Sequence, residues 1–291
     1  MYTKTFNTQH SPSGRYILSV FLLFLFFQVI ASVVAGGVFM LTSLPASLEM
    51  ALTQTIVAIC TYIIPPILNE YYYRRRHETF VFRDAPSRDS AVIGYSLLLF
   101  GLSYVIMMYS ADMNFFIGYP EWLGGFGEIL QELETKLNAS LAIMLSDKSP
   151  ATIFFTFLSI VVIAPVGEEL LFRGALQGWL TSRTKKVHFA VFLTAIIFSA
   201  VHMQWSGFIP RVVMGVLLGY VAVYGSLRLA ILIHALNNLL AYILFWTSDT
   251  INEAPEIVPD YPVLSTICML VSLGLCIFII KKMRNKQKEL S

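Results

Sequence analysis

Eight stretches of this chain stay apolar for about 20 residues, the length at which a helix rising 1.5 Å per residue crosses roughly 30 Å of hydrocarbon. They centre on residues 17–41, 50–68, 91–109, 151–171, 187–204, 208–224, 229–246 and 262–280. The balance over the 291 residues agrees: 56% are hydrophobic and 13% charged, where a soluble domain carries about 25% charged residues. Within hydrocarbon every backbone N–H and C=O must be bonded inside the protein, and a segment this long does so as a helix. The expectation is an all-α, polytopic membrane helix bundle with about eight transmembrane helices, forming a single membrane domain over residues 1–291. The first run, Tyr16 to Leu41, far exceeds the roughly 7–15 residues of a signal-peptide core and reads as a retained span. Pro65 and Pro66 in the second run and Pro165 in the fourth should kink or end their helices.

The charges orient the bundle. Of the 20 lysines and arginines, all but Lys136, Lys148, Arg173 and Arg211 lie in the N-terminus, residues 70–90, 181–187 and 225–228, or the tail KKMRNKQK. The positive-inside rule then puts both termini in the cytoplasm of an integral protein of the plasma (inner) membrane, with the acidic segment TSDTINEAPEIVPDY outside. Arg211, Lys136 and Lys148 count as external loop charges. The loop between the third and fourth runs repeats Ile129, Leu130, Leu133, Leu137, Leu141 and Met144 at three- and four-residue steps. That spacing predicts an amphipathic helix, either lying on the outer leaflet or packed on the bundle. The basic clusters are juxtamembrane and explained by topology, so no nucleic-acid partner is implied. Cys60, Cys268 and Cys276 show no ligand spacing and read as packing residues.

A charged side chain at mid-membrane costs about 3 kcal/mol on insertion scales, so intramembrane charges mark work being done. Three patterns carry them: EELLFR at Glu168 to Arg173, FSAVH at Phe198 to His202, and HALNN at His234 to Asn238. Glu169 and Arg173 are one helical turn apart and can pair, whereas Glu168 points about 100° away and keeps no sequence-local partner. If the fourth and fifth runs form a hairpin turning near Thr184 and Lys185, Glu168 and His202 come out level, about 24 Å from the turn. Asn238 lies one turn beyond His234 on the same helix face.

In this order the three motifs resemble the signature of the CPBP family. That family joins the type II CAAX prenyl endopeptidases with bacteriocin-processing and bacteriocin-immunity proteins, and is also called the Abi family. The resemblance covers a core of about residues 150–245. It implies an intramembrane glutamate-dependent endopeptidase acting on a membrane-associated peptide, a prenylated CAAX-type tail or a leader or pheromone, with membrane lipid as its other partner. By resemblance Glu168 is the general base and His202 shares its water. His234 and Asn238 donate to the oxyanion, while Glu169 and Arg173 hold the helix in register. No cofactor is expected. The rival within enzymes is a zinc protease using Glu168, His202 and His234, although HExxH is absent and an amide is an uncommon zinc ligand. A non-catalytic bacteriocin-immunity or scaffold protein is the alternative from another class.

Overall fold

The computed structural model describes residues 13–77, 89–247 and 262–290. The basic residues between 78 and 88, the first twelve residues and most of the acidic segment before Pro262 lie outside the described residues. Every regular element within them is helical, as α1 (Gly14–Phe39), α2 (Ala46–Ala58), α3 (Ile64–His77), α4 (Ser90–Ile117), α5 (Gly124–Ser146), α6 (Pro150–Phe157), α7 (Ala164–Glu169), α8 (Gly178–Thr184), α9 (Val187–Ala200), α10 (Phe208–Tyr224), α11 (Leu227–Thr247) and α12 (Pro262–Leu290). Six helices among the described residues are long and apolar enough to cross a membrane, the runs α2–α3 and α6–α8 each counting as one. The fifth and sixth apolar runs form α9 and α10, of 14 and 17 residues, about 21 and 26 Å long. They fall short of the hydrocarbon thickness, so among the described residues six helices, where about eight were expected, are long and apolar enough to span.

The prolines do not break the helices as expected. A π-helical turn precedes each proline site, Ile59–Ile63 before Pro65 and Leu158–Ile163 before Pro165, and a third covers Leu170–Gln177. Each extra residue per turn shifts the hydrogen-bond register, so the helix runs on past a residue that has no N–H to give. The α6–α8 run ends at Lys185, in the left-handed region with φ 58°, and α9 starts two residues later, which is the hairpin expected near Thr184 and Lys185.

Inside the bundle a large apolar cluster includes Val92, Leu99 and Phe100 of α4, Met214, Leu218 and Val221 of α10, Ile233 of α11 and Cys276 and Met283 of α12, and a smaller one joins Tyr16 and Val20 of α1 to Ala175. Its outside is equally apolar: Phe21, Val29 and Val33 on α1 and Leu264, Leu270 and Phe278 on α12 are all exposed, as lipid-facing surfaces are. Of the cysteines only Cys276 is a core residue; Cys268 is exposed. The loop helix α5 buries Leu130, Met144 and Leu145 together with Glu134, whereas Ile129, Leu133, Leu137 and Leu141 form an exposed apolar row.

Candidate active site

The centre of the site is a carboxylate shared by two cations or potential cations. Glu169 is buried at the end of α7, and its Oε1 accepts from Arg173 Nη1 at 2.7 Å and from His234 Nδ1 at 2.8 Å. Arg173 is equally enclosed. Its Nη2 donates to the carbonyl of Gly215 at 3.3 Å and its guanidinium lies 4.4 Å from the centre of the Phe198 ring, a cation–π contact strengthened by the absence of water. One turn further on, Gln177 Nε2 donates to the carbonyl of Gly219 at 3.0 Å. Two side chains four apart thus meet two carbonyls four apart on α10. Glycine allows this: a Cβ on Gly215 would lie 2.8 Å from Ala195 Cβ, and one on Gly219 would lie 2.8 Å from Gln177 Oε1. Small residues let membrane helices approach until side chains reach backbone.

Glu168 stands outside that network. Its side chain is 14% exposed, and its nearest charged neighbour is His234, whose Nε2 is 3.8 Å from Oε2. The expectation that Glu168 lacks a partner holds along its own helix and fails across helices. A carboxylate only accepts, so Nδ1 of His234 carries its hydrogen toward Glu169 and Nε2 is the ring nitrogen that faces Glu168. At 3.8 Å Nε2 and the Glu168 carboxylate oxygen are too far apart for a direct bond and spaced for a bridging water. His202 is held in the same tautomer, its Nδ1 bonded to the carbonyl of Phe198 at 2.7 Å. Both imidazoles pack edge-on against Phe198, at centroid separations of 5.0 Å for His202 and 5.9 Å for His234. The ring at the start of FSAVH is thus what brings the two histidines to one place. No hydrogen bond joins Glu168 to His202 among the described residues.

Asn238 is tied to a neighbouring helix. Its Nδ2 donates to the carbonyl of Ile160 at 2.9 Å. In the π-helical turn, the N–H of Ala164 bonds to Ser159, five residues back. The next donor in that register would be residue 165, onto Ile160, but residue 165 is proline and has none. Asn238 supplies the missing hydrogen bond, and so ties α11 to the turn that leads into Glu168. That bond uses one of the two N–H groups of the Asn238 amide and leaves the second free.

Three further residues belong to the site and were not singled out by the motifs. Tyr62, on the first π-helical turn, lies so close to α7 that a Cβ on Gly167 would be 2.5 Å from its own Cβ. Arg211, counted from sequence as an external loop charge, is on the first turns of α10, with Nη2 on Gln204 Oε1 at 3.0 Å and Nη1 on the Gln204 carbonyl at 3.4 Å. Glu134 of α5 accepts from the backbone N–H groups of Trp205 and Ser206, at 2.9 and 3.3 Å, and from the hydroxyls of Ser206 and Tyr119. Burial alone would raise this carboxyl, but those donors outweigh it and hold Glu134 below the usual carboxylate range. It therefore clamps the turn that follows His202. The signal for Arg211 was present, a lone cation entering an apolar run at PRVVMG; for Glu134 and Tyr62 there was none.

Among the described residues no group of three or more His, Cys, Asp or Glu side chains is placed to hold one metal ion. Glu168, His202 and His234 therefore do not fit the zinc site considered from sequence. Residues 150–240 match the family model of type II CAAX prenyl endopeptidase Rce1-like proteins. The matched stretch covers less than half of the chain and contains Glu168, Glu169, Arg173, His202, His234 and Asn238. This is the family that the three motifs resemble, and the match supports a CAAX-type intramembrane protease. No curated protein and no solved structure matches the chain.

Proposed function

We propose that this protein is an intramembrane endopeptidase of the glutamic type, a single membrane domain with both termini in the cytoplasm, cleaving a membrane-associated peptide that is lipidated or otherwise held in the bilayer. The observation that carries the reading is the division of labour between adjacent carboxylates. Glu169 is fully buried and its Oε1 is held by Arg173 and His234 at 2.7 and 2.8 Å, while Glu168 keeps partial exposure and faces His234 Nε2 across 3.8 Å. A water in that gap would donate one hydrogen to each side, leaving its own lone pairs free to attack. Glu168 takes a proton as the water oxygen bonds to the peptide carbonyl carbon and the carbonyl electrons move to oxygen. When the tetrahedral adduct collapses, the C–N bond breaks and the amine nitrogen takes a proton. That proton is the one Glu168 took: His202 Nε2, open because Nδ1 is fixed on Phe198, accepts it from the Glu168 carboxyl and gives it to the amine. Glu169, Arg173, Gln177 and Asn238 position these groups without touching the reacting atoms.

The test is a comparison of membrane fractions from cells expressing the wild type or Glu168→Gln, searched for new peptide termini near hydrophobic or lipidated segments. Termini present with the wild type and absent with Glu168→Gln, at equal protein level, support the reading and name the substrate. The immunity or scaffold alternative gives identical termini in both, and cleavage that survives the substitution refutes the role of Glu168.

A further inference from the structure

His202 is the proposed proton carrier, and its ring is aimed by the last turn of α9, where Nδ1 bonds to the Phe198 carbonyl. Directly after it the chain reverses. Met203 takes a φ of 54°, in the left-handed region that is unfavourable for any residue with a Cβ, and such a conformation persists only where the surroundings fix it. The backbone of the turn does not close on itself throughout. The N–H groups of His202 and Met203 bond back to Ser199 and Ala200, and that of Phe208 to Trp205, but those of Trp205 and Ser206 go to Glu134 Oε2 at 2.9 and 3.3 Å. The Ser206 hydroxyl donates to Oε1, and the Tyr119 hydroxyl, from the segment that leads into α5, donates to Oε2. With these four donors around it, Glu134 is only 6% exposed. Further ties join the turn to α4: Asn114 donates to the carbonyl of Trp205 at 2.8 Å and accepts from the N–H of Ile209 at 2.9 Å, and the Trp205 indole donates to the Gly118 carbonyl. Those acceptors are neutral. Glu134 is a carboxylate, so each of its bonds is charge-assisted and about twice as strong, and it takes the two backbone donors at the middle of the turn.

We infer that Glu134 is a positioning residue for the cleavage reaction: from α5 it fixes the turn after His202, and through that turn it sets where the His202 imidazole stands relative to Glu168. The inference rests on the endopeptidase reading above and extends its machinery to a helix outside residues 150–240, the stretch that matches the family model. Without the carboxylate the Trp205 and Ser206 N–H groups lose their acceptor, the turn closes differently, Met203 is released from its φ and the His202 ring moves with it. A misplacement of about 1 Å in such a group costs about 100-fold in rate, and a defect confined to proton transfer appears in kcat.

The experiment uses the purified full-length protein in detergent with a peptide whose cleavage requires Glu168. Glu134→Ala should lower kcat by about 10- to 100-fold with KM within about twofold. Glu134→Gln keeps one acceptor oxygen and loses the charge, so it should lose about 3- to 10-fold; it also carries the test if the alanine variant does not fold. Spectra of protein labelled with 15N in histidine are read alongside, because a loss of stability alone does not move one ring. The His202 signals, identified by their absence from His202→Ala, should shift in both Glu134 variants, while those of His188, at the other end of α9, stay in place. An unchanged kcat, a KM that rises while kcat holds, or a fall in kcat with the His202 signals unmoved overturns the assignment. Cleavage that survives Glu168→Gln refutes the endopeptidase reading instead, and the His202 signals then decide by themselves whether Glu134 positions the ring.

Discussion

Replacing Asn238 by alanine should destabilise the protein because of a proline 73 positions earlier in the chain. The lost bond is the one to Ile160 O at 2.9 Å. An interhelical hydrogen bond in a membrane protein contributes about 0.6 kcal/mol on average and up to about 1.7, and a carbonyl left buried without a donor costs about 1–3 kcal/mol. The partial burial of this pair places the expected loss at about 1–2 kcal/mol. The compensating change is Pro165→Ala. A residue with an N–H at 165 feeds Ile160 directly if the π register is kept, and the N–H of Ala164 feeds it if the turn relaxes to α. In the Pro165→Ala background the Asn238→Ala substitution should therefore cost less than about 0.5 kcal/mol, a coupling of about 1 kcal/mol, as expected for groups that share one partner. The assay is unfolding of the four proteins of the cycle in mixed micelles with increasing denaturing detergent, with proteolytic rate measured on each. Additive losses would refute the argument that Asn238 stands in for the missing proline donor.

Glu169→Gln leaves Arg173 enclosed with its counter-charge gone and only a neutral amide oxygen for Arg173 and His234 to share; the expected loss is about 3–5 kcal/mol, seen as a large drop in melting temperature or in yield of folded protein. Gly167→Ala puts a methyl 2.5 Å from Tyr62 Cβ, so α7 and the Ile59–Ile63 turn must part at a cost of about 1–3 kcal/mol, and cleavage should fall because Glu168 is the next residue; an unaltered melting curve would show that the contact is softer than described. Asp147, ahead of α6, accepts from Ser47 and Thr152 hydroxyls and from the N–H of Ser149, which hold its carboxyl down to about 2 from an ordinary 3.8. A depressed folded-state value means that this contribution is complete above 3.8 and is lost as pH falls toward 2. The melting-temperature gap between wild type and Asp147→Asn should accordingly be constant near neutrality and close on acidification across that window.

The membrane class, the helical content and the six long spans were legible because hydrocarbon leaves a chain few options: length and apolarity nearly dictate a helix. Glu169 with Arg173 was legible as well, since the i,i+4 spacing on one helix is a local property that tertiary packing preserved at 2.7 Å. The role of Pro165 was not. Sequence says that a proline withholds a hydrogen bond, and only the fold says whether the helix stops or borrows one, here from Asn238 on α11. Arg211 shows the same limit. Its charge near a span end is what topology rules score, and its inward course depends on Gly207 and Gln204, whose relation to it is set by a turn that Glu134 holds from another helix.

Periodicity and charge along one strand of residues therefore established which segments enter the bilayer and which titratable groups have to be reconciled with it. The partner of each group was decided by helix packing: which carboxylate His234 bonds and which it merely faces, what Phe198 gathers around itself, where Asn238 spends its amide. Those outcomes depend on atoms brought together from α7, α9, α10 and α11 to within a few ångströms, and hydrogen bonding and Coulomb energies change steeply over that range. Spacing within a single helix carries no information about them.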